Sequence, residues 1–159
     1  MAPGDLAAVA SIARRIHAAH PERDEIFAER LALFAPGCLT LWRAGAIQGY
    51  AIAHPWHRAA PPALDTLLGA LPAGPDCLYL HDIALLPAAR GAGASGRLLD
   101  LLDAIARAAR LERIALISIP GTAGFWRRQG FVPVARPELA AKLASYGAGA
   151  QVMERGIGR

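Results

Sequence analysis

Seven consecutive residues, Arg90-Gly91-Ala92-Gly93-Ala94-Ser95-Gly96, offer almost no side chain beyond one guanidinium. A turn this bare lets a ligand approach the backbone. A helix behind it would present free N–H groups and the positive end of its dipole. The chemistry that fits is capture of an anion, above all a phosphate. Just upstream, His81 and Asp82 interrupt an apolar run. An imidazole, with an ordinary pKa of about 6.5, can take up or release a proton at neutral pH. The same two residues would equally serve as a hydrogen-bonded structural pair. Strict strand alternation sets His81 on one face with Tyr79 and Ile83, and Asp82 on the other with Leu80 and Ala84. At most one of them should then face a bound substrate.

The elements that must position these groups follow from periodicity. Residues 78–86 read as a strand covered on both faces, and 96–110 as a helix with Leu98, Leu101, Leu102, Ile105 and Ala109 on one side. Asp103 and Arg107 stand four apart on that helix, the spacing of an ion pair. A second buried strand spans 113–119, so strand, helix and strand form a crossover whose two strands should lie parallel. Upstream, Asp5 reads as the cap of a first helix ending near His20-Pro21, and a second helix begins at Pro21-Glu22. Residues 38–43 and 46–54 form a hairpin turning at Ala44-Gly45. The segment 55–75, with five prolines, reads as a long surface loop of the kind that carries specificity. Downstream come a short helix at 123–129, strands at 131–135 and 150–155, and a further helical stretch within 137–146.

Composition narrows the class. The chain has 159 residues, enough for one domain with a real core, and with 54% hydrophobic and 19% charged residues it is not a disordered segment. No apolar run is long enough to span a membrane, and Asp5 with no preceding basic patch is unlike a signal peptide. Cys38 and Cys77 lie far apart and read as packed thiols. His54 and His57 flank Pro55-Trp56 without a third ligand at metal spacing, so they read as loop residues and no metal is expected. The net charge of +4 could suit nucleic acid, but the arginines are scattered and not interleaved with aromatics. Attraction of a polyanionic ligand explains the sign equally well, and no nucleic-acid or membrane partner is expected. A bacterial-type cytoplasm is the expected setting.

The turn matches two fingerprints. Gly91 to Gly96 is literally G-x-G-x-x-G, and Glu112 follows at a suggestive distance. In a dinucleotide-binding unit, however, the acid closes the second strand, whereas Glu112 precedes it. The better match is R-x-x-G-x-G/A. Leu85-Leu86-Pro87-Ala88-Ala89-Arg90 resembles V-x-P-x-x-R, and Phe125-Trp126-Arg127-Arg128-Gln129-Gly130-Phe131 resembles F-Y-x-x-x-G-F. On these two motifs the chain resembles the GCN5-related N-acetyltransferase (GNAT) superfamily over nearly its whole length.

That resemblance implies a single α/β (α+β) domain over residues 1–159. It implies a mixed, mostly antiparallel sheet flanked by helices, its central parallel strand pair splayed in a V. It implies acetyl-CoA as co-substrate, with the pyrophosphate cradled by Arg90, Gly91, Ala92, Gly93, Ala94, Ser95 and Gly96. The pantetheine arm would pair with the backbone of Ile83, Ala84 and Leu85. A backbone N–H near Ala84 or Leu85 would meet the developing oxyanion. The acceptor would be a primary amine of a small molecule or peptide, attacking directly, and the family leaves room for a homodimer. His81 and Asp82 stand where some relatives place acidic groups near the amine. Three departures matter. Ser95 replaces a Gly or Ala. Trp126 stands where many relatives carry the tyrosine thought to protonate the leaving thiolate, a task no indole N–H performs, so that role is vacant or filled elsewhere. Tyr146 is the substitute acid to test first, its alternative being an ordinary half-buried tyrosine. No strand precedes the first helix. The rival reading is a non-catalytic acyl-CoA-binding domain on the same fold.

Overall fold

The computed structural model describes residues 1–91 and 93–158. A short 3-10 turn, Pro3–Asp5, runs into α1 (Leu6–Ile16), and α2 (Asp24–Leu33) follows. Asp5 does not cap α1; its carboxylate accepts from the backbone N–H of Ala2. α1 ends four residues before the expected His20, and α2 starts later than Pro21. Residues 17–23 are therefore a non-helical connector.

The strands are β1 (Cys38–Arg43), β2 (Ala46–Trp56), β3 (Cys77–Leu85), β4 (Arg113–Ser118), β5 (Val132–Pro133) and β6 (Gln151–Gly156), in the sheet order β1-β2-β3-β4-β6-β5. Ala44 and Gly45 both have positive φ, 49° and 75°, the two-residue turn that suits the twist of a hairpin. β2 continues past His54, because Pro55 and Trp56 still face Leu78 and Cys77 across the ladder. His54 is thus a buried strand residue, not a loop residue. No helix or strand forms across 57–76, as the prolines dictate. β5 is shorter than the expected 131–135.

Between β3 and β4 lies α3 (Ala94–Ala108), and the two strands are parallel as the crossover demands. Only Leu78 with Ile114 and Tyr79 with Ala115 pair, after which the strands part. The other neighbouring pairs are antiparallel. α3 starts two residues earlier than the pattern suggests, so Ser95 and Gly96 lie in its first turn. Leu99, Leu102 and Ala106 face the core, while Leu101 is 52% exposed. Asp103 and Arg107 do not pair with each other. Asp103 takes Arg155, and Arg107 donates to the carbonyl of Gly158. α4 (Ala123–Arg128) and α5 (Ala140–Ser145) complete the chain.

Each face of the sheet has its own core. Ala51, Ala53, Leu78 and Leu80 pack with Leu102 and Trp126 on the α3 side, while Tyr50, Ile52 and Ala84 pack with Val9 and Phe27 on the α1–α2 side. The parity of β3 changes along its length. Leu78 and Leu80 face α3, but beyond them Ile83 takes that face and Ala84 the opposite one. The cause is a bulge: Ala53 pairs with Leu80 and Ile52 with Asp82, leaving His81 without a register partner. One extra residue flips every later side chain.

Candidate active site

The parting of β3 from β4 leaves a cleft of about 670 Å³, large enough for a sizeable organic ligand. Residues from both sides of the sheet line it. Leu116, Phe125 and Trp126 contribute from the α3 side, and His17, Glu22 and Tyr146 from the α1–α2 side.

The bulge overturns the alternation expected for His81 and Asp82. Both line this one cavity and both turn to the α1–α2 face, because the extra residue between Leu80 and Asp82 cancels the alternation there. Their partners come from the connector before α2. His81 Nε2 donates to Glu22, 3.1 Å from each carboxylate oxygen, with both side chains almost fully buried. Glu22 Oε1 also accepts the backbone N–H of Asp65 at 2.9 Å. Burial pushes the Glu22 carboxyl up, but the hydrogen bond and charge of His81, with the Asp65 amide, outweigh it and hold Glu22 below the usual range. Asp82 takes the His17 Nε2–H at 2.9 Å and the Tyr50 hydroxyl. The bond to Asp82 raises the pKa of His17 above its ordinary value, partly offset by burial, and Nε2 also reaches the Ile83 carbonyl at 3.1 Å. Two carboxylate–histidine pairs therefore stand side by side in a cleft that strict alternation would have opened to only one of His81 and Asp82.

Tyr146 closes the same end, its ring centroid 6.0 Å from that of His20. Burial, then the charge of Glu22, pushes its hydroxyl up to about 12, so it stays protonated at neutral pH. Trp126 lines the cavity but is mainly a core residue, packed edge-on against Phe125 and Phe131. Behind His81 lies His54, its Nε2 buried without a partner among the described residues, and burial pushes its pKa down to about 3.

At the other end is the glycine turn. Gly91 and Gly93 have φ of 80° and 71°, left-handed values that favour glycine, and open space lies where a Cβ would stand. Gly91, Gly93, Ala94 and Ser95 line the cavity. Gly96 does not, being turned outward in the first turn of α3, and Ala92 lies outside the described residues. Arg90 is exposed and lines the cavity while its Nε donates to the Leu85 carbonyl at 3.3 Å. Of the three β3 residues expected to pair through their backbone, Ala84 turns its main chain to β2. Leu86 N–H bonds the Gln48 carbonyl, so the alternating ladder points Ala84 the same way and leaves Ile83 and Leu85 facing the cleft. The side chain of Ala84 is buried on the α1–α2 side.

His17, Glu22 and Tyr50 escaped sequence reasoning. His17, His20 and Glu22 crowd round a helix-breaking proline, and that clustering is the signal that marks the connector as more than a helix end.

A family model described as acetyltransferase (GNAT) family matches residues 6–131. Among solved structures, the chain is similar to the GphF GNAT-like decarboxylase in complex with isobutyryl-CoA (19% identity, TM-score 0.76, covering 99% of this chain and 97% of that one). It is also similar to Ard1 from Thermoplasma volcanium (16%, 0.74, 100% and 95%). A third is the ribosomal-protein-S18-alanine N-acetyltransferase from Escherichia coli (19%, 0.66, 100% and 92%). At such identities these likenesses speak for the fold. A comparison with curated proteins finds no match.

Proposed function

Since the chain belongs to the acetyltransferase (GNAT) family, we propose that it transfers an acetyl group from acetyl-CoA directly to a primary amine bound beside His81 and Asp82. The observation that carries this reading is the early parting of β3 and β4. It leaves main-chain groups of Ile83 and Leu85 facing a cleft that runs from an open glycine turn to two carboxylate–histidine pairs.

Acetyl-CoA supplies the activated thioester. The residues present suit it: the bare turn at Gly91 and Gly93 and the start of α3 offer amides to a pyrophosphate, with Arg90 alongside. Beyond Tyr79 the edge of β3, unpaired by β4, offers main-chain groups of Ile83 and Leu85 to the arm, their carbonyls also accepting from His17 and Arg90. At the acceptor end, an amine must be neutral to attack, so its proton needs a resting place. His81, tied to ionised Glu22, is that place. The ammonium sheds its first proton to solvent. Then, as the C–N bond forms and the C–S bond breaks, the second proton leaves the nitrogen for Nδ1 of His81, the ring nitrogen not engaged by Glu22, and the sulfur departs as thiolate. Tyr146 then donates a hydrogen bond to the thiolate. A phenol near 12 is too weak an acid to protonate outright a thiol of about 8.5. Asp82 fixes His17 and holds the bulged segment in shape.

Titration calorimetry with acetyl-CoA, together with a thiol-release assay over a panel of amines, tests the reading. Binding with amine-dependent release supports it. Binding without release for any amine favours a non-catalytic acyl-CoA-binding domain, and absence of binding overturns both.

A further inference from the structure

The acceptor end of the cavity is lined by carboxylates but by no arginine or lysine among the described residues. Glu22 and Asp82 both line it. Among the described residues lining the cavity, Arg90 is the one arginine or lysine, and it sits at the glycine turn with its Nε on Leu85. The Nε2–H groups of His17 and His81 are already given to Asp82 and Glu22 and are not free to receive a second carboxylate. The rest of this end is Tyr79, Tyr146, Leu64 and Ile16, with the His20 imidazole near the Tyr146 ring.

Its walls are also fastened. The loop that brings Leu64 to the cavity is tied to α2 on one side. Asp65 takes Arg23, the Leu68 and Gly69 amides bond Glu29, and the buried Arg30 holds the Thr66 carbonyl. On the other side Lys142 of α5 bonds the Pro61 carbonyl. A polypeptide acceptor would have to displace a loop anchored at both flanks, whereas a compact molecule need not.

We propose that the acceptor is a compact primary amine with an aromatic or apolar body and no acidic group. This inference rests on the acetyl-transfer reading and narrows its substrate. An ammonium is attracted by Glu22 and by the surrounding aromatic faces. An amino acid would bring its own carboxylate into the same space, beside Glu22 and Asp82 and with no arginine or lysine there among the described residues to receive it. Two like charges about 4 Å apart in a partly buried site repel strongly enough to weaken binding by well over tenfold.

The test uses matched twins with the full chain: phenethylamine against phenylalanine, tyramine against tyrosine, and an alanine-initiated peptide amide. Acetyl-CoA-dependent thiol release should favour each amine over its acid twin by at least about tenfold in kcat/KM. Leu64→Arg, which sets a cation at that end, should narrow the gap by about the same factor. Equal rates for the twins, preference for the acid, or a peptide better than every small amine overturns the inference. If no amine turns over, the same twins are titrated calorimetrically with and without coenzyme A. Selective binding of the amine then upholds the acceptor class although the transfer reading fails. Binding of neither twin, or tighter binding of the acid, overturns it.

Discussion

Glu22→Gln isolates the pairing that long-range structure added to the site. The carboxylate lies 3.1 Å from His81 Nε2 through both oxygens, and the two side chains are 5% and 2% exposed, so solvent screens the contact little. A hydrogen bond to a charged partner in such a place contributes about 1.5–3 kcal/mol. If His81 receives the amine proton, the growing imidazolium loses that support, and kcat/KM for the amine falls roughly ten- to 150-fold. Glutamine keeps an oxygen for the Asp65 amide, so the loop stays anchored. Thiol release at saturating acetyl-CoA, with the amine varied, measures the loss. Calorimetric titration of acetyl-CoA reports the other end of the cleft and should move by less than about threefold. Glu22→Asp, which restores the charge at shorter reach, should recover part of the rate. An unchanged kcat/KM in the glutamine variant, or an equal loss in acetyl-CoA affinity, refutes the role assigned to the pair.

Gly93→Val places a branched side chain at a φ of 71° in open space on the turn, costing about 1–2 kcal/mol in strain. It should raise the KM for acetyl-CoA with kcat little changed, and an unchanged KM would mean the turn is not the phosphate cradle. Asp82→Asn should alter the pH dependence of stability. His17 has a raised pKa in the fold, so its contribution is complete below the unfolded value and is lost as pH rises through the folded one. Thermal melts from about pH 6 to 9 should show that decline in the parent and a flatter curve in the variant; identical curves would remove the linkage from Asp82. Tyr146→Phe should lower kcat by up to about a hundredfold with little effect on acetyl-CoA binding, and full activity in thiol release would dismiss Tyr146 as donor.

Wherever neighbouring residues decide the outcome, the chain could be read directly. The hairpin at Ala44-Gly45, the parallel crossover through α3 and the bare turn before it all follow from local periodicity and glycine placement. So does the family, whose two motifs lie within 85–131 and inside the matched span. The anion proposed for the glycine turn is likewise a local reading, since the amides of a helix start depend on a few adjacent residues. The other end of the cleft could not be read this way. Glu22 meets His81 from 59 positions away, and nothing in residues 78–86 announces it. The decisive feature, the bulge that brings His81 and Asp82 to one face, is a property of the ladder between β2 and β3. Register depends on how two strands fit one another and the cores on either side, so no single strand carries it. Sequence by itself determined the bare turn before α3 at one end of the cleft, and tertiary structure decided which side chains meet at the other.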